Sequence, residues 1–114
     1  MADRPESLRI GPFTYTVAWP EHVLDVDKFG AEDETLETLS ARVDHVSLTI
    51  FIASFMARAV QRKSLLHEVI HACNWISGHD DTSSEEQFVR ALAFPLLDVL
   101  RDNPPLVAFL VESD

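Results

Sequence analysis

From Leu8 to Trp19 apolar and polar positions alternate along the chain. Phe13, Tyr15 and Val17 fall on one side, and Thr14, Thr16 and Ala18 on the other. A period of two carried by β-branched and aromatic residues predicts a strand. Gly11-Pro12 predicts a turn or bulge near its start, and Pro20 marks its end. Between Leu39 and Ile52 the same period recurs twice: Ala41 and Val43 alternate with Arg42 and Asp44, then Leu48, Ile50 and Ile52 with Thr49 and Phe51. This predicts a hairpin turning near His45-Val46-Ser47, with His45 exposed. Together the segments predict a three-stranded antiparallel sheet with one face free to receive a helix.

The period then changes to that of a helix. From about Ser54 to Ser77 an apolar stripe runs through Leu65, Leu66, Val69, Ile70, Cys73 and Ile76, with Ser54 as expected N-cap and Gly78 as the stop. Trp75 is expected to pack against the sheet. A second helix is predicted from about Ser84 to Asp102. Its first turn is acidic, as the helix dipole favours, and its apolar positions are Val89, Leu92, Leu96, Val99 and Leu100. Pro95 removes one of its internal hydrogen bonds and predicts a kink. Asn103-Pro104-Pro105 stops it, and Leu106 to Val111 is expected to fold back as a helical turn. Glu21 to Glu37 is acidic and irregular, with a break at Gly30 and a surface loop histidine at His22; His79-Asp80-Asp81-Thr82-Ser83 reads as a turn. The expected architecture is a minimal α+β domain over 1–114: about three antiparallel strands packed on one long helix, followed by a second.

Composition narrows the class. A hydrophobic content of 46% with 25% charged residues is that of a globular domain able to bury a core. The single cysteine, Cys73, has no partner within the chain and sits on the apolar stripe, which fits a buried thiol in a reducing compartment. Met1 to Glu6 lacks a secretory pattern, and the nearly uncharged run from Val46 to Ala57 falls short of the roughly 20 residues that span a bilayer. The expectation is a cytoplasmic protein with no membrane partner. Net charge is −10. A chain this acidic repels phosphate backbones, which argues against nucleic acid as a partner. Arg58, Arg62 and Lys63, which lead into the long helix, read as its solvated side.

One stretch of that helix carries chemistry. Ser64-Leu65-Leu66-His67-Glu68-Val69-Ile70-His71-Ala72 contains His-Glu-x-x-His. Positions i and i+4 share a helix face about 6 Å apart along the axis, so two imidazoles can address one ion. A catalytic zinc takes three protein ligands and keeps one position for water. Glu68, beside the first histidine, is placed to accept a proton from that water. His67 and His71 are therefore candidate zinc ligands and Glu68 a candidate general base. The same three residues also fit a wet face of an amphipathic helix, but the apolar stripe sets the motif at the edge of a buried helix. A third donor is expected from the start of the second helix, where Glu85 and Glu86 both stand. Counting back from Val89, Leu92 and Leu96 favours Glu85. His79, Asp80 and Asp81 lie in a turn that positions a ligand poorly.

The order of strand, hairpin, a helix carrying Leu-Leu-His-Glu-Val-Ile-His-Ala, then Ser-Glu-Glu-Gln and a helix ending Leu100-Arg101-Asp102-Asn103-Pro104, resembles the small gluzincin-type metallopeptidase domains of phages and prophages. These are distant relatives of the ImmA/IrrE and SprT-like zincins. The resemblance covers Ile10 to Pro104 and is sharpest in the motif helix. It implies a zinc-dependent peptidase in which His67, His71 and Glu85 (or Glu86) hold Zn2+ and Glu68 is the base. Its substrate would be a peptide or protein. A catalytically weak zincin-fold regulator that binds a host or phage protein is the alternative. One departure stands out: larger zincins add a downstream tyrosine or histidine that steadies the oxyanion. This chain has one tyrosine, Tyr15, far upstream, and no such residue after Glu86. That charge falls to zinc alone or to His79, or the activity is weak or lost.

Overall fold

The computed structural model describes residues 2–24, 38–78 and 85–113. The expectations for 25–37, including Gly30, and for the turn at 79–83 lie outside the described residues. The described residues are α+β: a mixed four-stranded sheet with three helices, and a separate two-stranded ribbon.

β1 (Ser7–Ile10) and β2 (Phe13–Ala18) form an antiparallel hairpin with Ile10 opposite Phe13. The single first strand expected from the alternation is thus two strands. Gly11-Pro12 is a full two-residue reversal, with Gly11 at φ +57°. Such tight hairpins favour glycine at the first turn position, and proline suits the second because its φ is fixed near −65°. A side chain at Gly11 would also meet Ile76 Cγ2 at 3.1 Å. The two-residue turn shifts the inward positions from Leu8 and Ile10 to Tyr15 and Val17, since opposed residues such as Ile10 and Phe13 are three apart and share a face.

β3 (Val23–Leu24) pairs with β4 (Thr38–Leu39) in the small ribbon. β5 (Ala41–Asp44) and β6 (Thr49–Ile52) form the expected antiparallel hairpin, turning over 45–48. Asp44 Oδ1 accepts the backbone N–H of Val46 at 2.9 Å and of Ser47 at 3.3 Å, which nucleates the turn. Sheet order is β1-β2-β6-β5, and β2 pairs with β6 in parallel. The expected all-antiparallel sheet of three strands is corrected to a mixed one of four, since the 30 positions between Ala18 and Thr49 leave room for a crossover.

α1 (Arg58–Ile76), α2 (Glu85–Asp102) and α3 (Pro104–Leu110) follow. Leu8, Ile10, Tyr15, Val17, Ile50 and Ile52 from the sheet meet Leu65, Val69, Ala72 and Cys73 of α1, Val99 of α2, and Leu106 and Phe109 of α3. α1 begins later than expected, and Ser54 is not its N-cap: Ala57 takes that place without a side-chain bond. Buried Gln61 instead secures the approach, donating Nε2 to the carbonyls of Met56 at 2.7 Å and Ser54 at 3.2 Å. The helix ends at Gly78, φ +70°, as expected. α2 carries Pro95 within it. Leu92, Leu96 and Val99 pack on the core as expected, whereas the side chain of Val89 lies outside the described residues.

The buried stripe of α1 is rotated from the expected one. Ser64 and Glu68 lie under the fold, while Leu66 is 37% exposed and Ile70 half-buried. The helix lies beneath the sheet and against α2 and α3, so its covered face is wider than an apolar stripe alone marks.

Candidate metal centre

α1 supplies both histidines. His67 and His71 are solvent-facing, and their Nε2 atoms lie 3.0 Å apart with ring planes at 71°. Without an ion this is a hydrogen bond in which one ring N–H donates to the other's lone pair. Two nitrogens on a tetrahedral zinc, each at 2.0–2.1 Å, stand about 3.3 Å apart. The pair is therefore within a few tenths of an ångström of a two-point zinc seat, and the donor type suits the metal.

Glu68, between them in sequence, is buried at 6% exposure. Burial pushes its carboxyl above the usual carboxylate range, opposed by the charges of His71 and His67. A carboxylate raised in this manner is a better proton acceptor than a solvated one. It opens with His67 onto a cavity of about 380 Å³ whose other walls are Ser40, Ala41, Met56, Val60, Lys63 and Ser64. Ala41 begins β5, the sheet's outer strand on that side. The motif, the cavity and a sheet edge with unpaired main-chain groups among the described residues thus adjoin one another.

Thr49 to Ile52 offers no edge to an extended chain. Those residues form β6, which is hydrogen-bonded on both sides, by β2 and by β5. Among the described residues β5 is the outer strand.

Beyond His71 the structure gathers residues that sequence reasoning did not connect. Trp75, one turn further along α1, stacks parallel on His45 with centroids 4.7 Å apart and planes 3° apart. Phe13 adds a tilted ring at 6.0 Å from Trp75. Trp75 meets the sheet side as expected, though it stays 46% exposed at the rim. His45, expected to be exposed in its turn, is half-buried, because the turn folds it onto Trp75 and brings its Nδ1 to 3.1 Å from the Tyr15 hydroxyl. Tyr15 is fully buried. Spacing along α1 gives Trp75 as a neighbour of His71, but only the register of β5 on β6 places His45 there, and no local pattern encodes that.

Glu85 is the first residue of α2, the position expected for a third donor, and α2 packs on α1. The side chains of Glu85 and Glu86 lie outside the described residues, as do His79, Asp80 and Asp81. Among the described residues no three histidine, cysteine or carboxylate side chains form a group that holds a metal. Cys73 is buried as expected, its thiol pushed up to about 11 by burial, which leaves it protonated. His22 is a surface histidine, 53% exposed and 3.7 Å from Glu21.

A larger groove of about 860 Å³ lies along the N-terminal arm, between Ala2 to Ser7, Trp19, Arg58 and Pro105. It holds no residue of the motif. Compared with models of known families, with curated proteins and with solved structures, the chain matches none.

Proposed function

We propose that the chain is a zinc-dependent hydrolase acting on a peptide or protein, with a minimal zincin-like arrangement akin to the small phage and prophage gluzincins. The observation that carries this reading is the convergence of His67 and His71 Nε2 atoms at 3.0 Å beside buried Glu68. Chance pairs of surface histidines have no reason to sit next to a buried, proton-avid carboxyl and a cavity.

His67 and His71 would hold the ion, with Glu85 from the first turn of α2 as the third donor. Zinc would supply Lewis acidity toward the scissile carbonyl and make water acidic enough to react near neutral pH. Glu68 takes the proton of the attacking water and returns it to the leaving amine. β5, the outer strand among the described residues, would receive an extended substrate that pairs through its main chain with Ala41 to Asp44. The cavity beside Glu68 then receives one substrate side chain, with Met56 and Val60 as its apolar walls.

The test is zinc-loaded protein incubated with a denatured protein substrate and with a peptide library, product ends being read by mass spectrometry. Wild type should cut, and Glu68→Gln should bind zinc equally yet lose at least about a hundredfold in rate. Equal cutting by Glu68→Gln contradicts the assignment. Zinc-loaded wild type that cuts nothing and instead retains a protein partner contradicts turnover and favours a regulatory protein of the same fold.

A further inference from the structure

We infer that β5 is a homodimer edge: two copies of the chain pair their β5 strands antiparallel about a two-fold axis through Val43. Such pairing needs neither a metal nor the hydrolase reading.

The main chain supplies the bonds. Ser40 accepts the Ala53 N–H at 2.9 Å, and the register sets Ala41 opposite Ile52 and Val43 opposite Ile50. Bonded positions alternate along an antiparallel strand, so Ser40, Arg42 and Asp44 turn their main-chain groups to β6. Ala41 and Val43 turn theirs outward, and among the described residues β5 is the outer strand. A two-fold axis at Val43 lets its N–H and carbonyl exchange bonds with the same groups of the copy.

Charge selects the register. Val43 has Arg42 on one side and Asp44 on the other. Both side chains share the sheet face of Phe51 and Thr49, opposite the buried Ile50 and Ile52, and the Arg42 guanidinium lies over the Phe51 ring at 4.2 Å. Pairing about Val43 sets Arg42 of each copy directly opposite Asp44 of the other, which is attractive in both places. An axis at Arg42 or Asp44 sets like charges face to face and finds no outward backbone groups. Parallel pairing in register also opposes like charges. An axis at Ala41 leaves Arg42 facing Ser40 and Asp44 facing Thr38. On the helix side, half-buried Val43 meets its copy.

The fold also limits the assembly. Unprotected sheet edges pair without end, and natural sheets blunt them. On β1, at the other side of the sheet, Asn103 already takes the Arg9 N–H and carbonyl. Joining two sheets at β5 therefore leaves a capped β1 at each end, which closes the assembly at two copies. So short an edge gives weak, reversible association. The charge of −10 on each chain opposes it at low salt and is screened at physiological salt. Under the hydrolase reading a second copy and an extended substrate compete for one strand, and dilution opens the site.

The test is sedimentation of the full chain at physiological salt, with and without zinc, from about 1 µM to about 1 mM, the range of weak association. Wild type should pass from monomer to dimer and no further, equally in both conditions. Arg42→Asp and Asp44→Arg should each raise the dissociation constant at least about tenfold, since two opposed pairs turn repulsive. An equal mixture of the two variants should regain the wild-type affinity, because each acidic position then faces a basic one. Val43→Pro removes only an outward N–H, which an edge strand tolerates, and should abolish the dimer while the chain stays folded. If Asp44→Arg, which also loses its turn bonds, fails to fold, Arg42→Asp and Val43→Pro decide the matter. Hydrogen exchange at the Val43 amide should slow as concentration rises. A wild type that stays monomeric, a Val43 amide already protected in the monomer, growth beyond the dimer, a dimer formed only with zinc, or an affinity that ignores the charge reversals would each overturn the pairing.

Discussion

Glu112 shows how one side chain can tie distant parts of the chain together. Its carboxylate accepts from Arg58 Nε at 2.6 Å, Arg62 Nη1 at 2.8 Å and the Ala2 backbone N–H at 3.0 Å. Arg58 Nη2 also donates to the Ala2 carbonyl, and the guanidinium lies over the Phe109 ring at 4.9 Å. Arg58 and Arg62, expected from sequence to be only the solvated side of the helix, thus anchor both ends of the described chain on α1. The bond from Arg58 is the main cause that pulls the Glu112 carboxyl down to about 2, with burial opposing it and Ala2 and Arg62 assisting. A carboxyl lowered on folding adds stability that is full above its unfolded value near 4.5 and fades as pH falls toward 2. Glu112→Gln should therefore melt below wild type at pH 7, and the gap should close between about pH 4.5 and 2. Thermal melts across that range check it; a gap independent of pH would show that packing, not charge, holds the tail.

Among the elements, the junction of α2 and α3 has a role that the pattern did not disclose. Asn103 was expected to stop a helix, and it does. Its buried side chain also accepts the Arg9 N–H at 2.8 Å and donates to the carbonyls of Arg9 at 2.9 Å and Val99 at 2.7 Å. One amide thereby completes the outer edge of β1 as a partner strand would. Asn103→Ala should cost about 2 kcal/mol, since it strips two bonds from Arg9 at the sheet edge and one from the Val99 carbonyl of α2. Urea unfolding of the metal-free chain measures this, and a cost within about 0.5 kcal/mol, typical of plain surface changes, would refute the edge role. Local patterns were legible wherever a residue's neighbours in sequence are also its neighbours in space. The β5–β6 hairpin, α1 with its Gly78 stop, α2 and the burial of Cys73 all followed. What depended on pairing between remote segments was not legible: the parallel β2–β6 contact, the split at Gly11, the Asn103 cap and the stack of His45 on Trp75. The motif itself was readable because its two histidines are four residues apart. The sheet edge beside it was not legible, because strand order is a property of the sheet and not of any strand.

At the scale of the molecule the two edges of the sheet differ. Among the described residues β1 is capped at Arg9 by Asn103, while β5 is the outer strand on the side of the helix that bears the histidines and the buried carboxyl. Among the described residues no helix is long and apolar enough to cross a membrane. The net charge of −10 favours cations over anionic partners. An outer strand, a cavity and a histidine pair on one side suit the proposed hydrolase of extended chains. They serve it only if an ion completes the seat. The most direct measurement is metal content of gently purified native protein by mass spectrometry, for wild type, His67→Ala, Glu85→Ala and Glu86→Ala. One zinc per wild-type chain, lost in His67→Ala and weakened in Glu85→Ala but not Glu86→Ala, is the predicted result. A wild-type chain that folds and takes up no zinc, even when the metal is supplied, would contradict it.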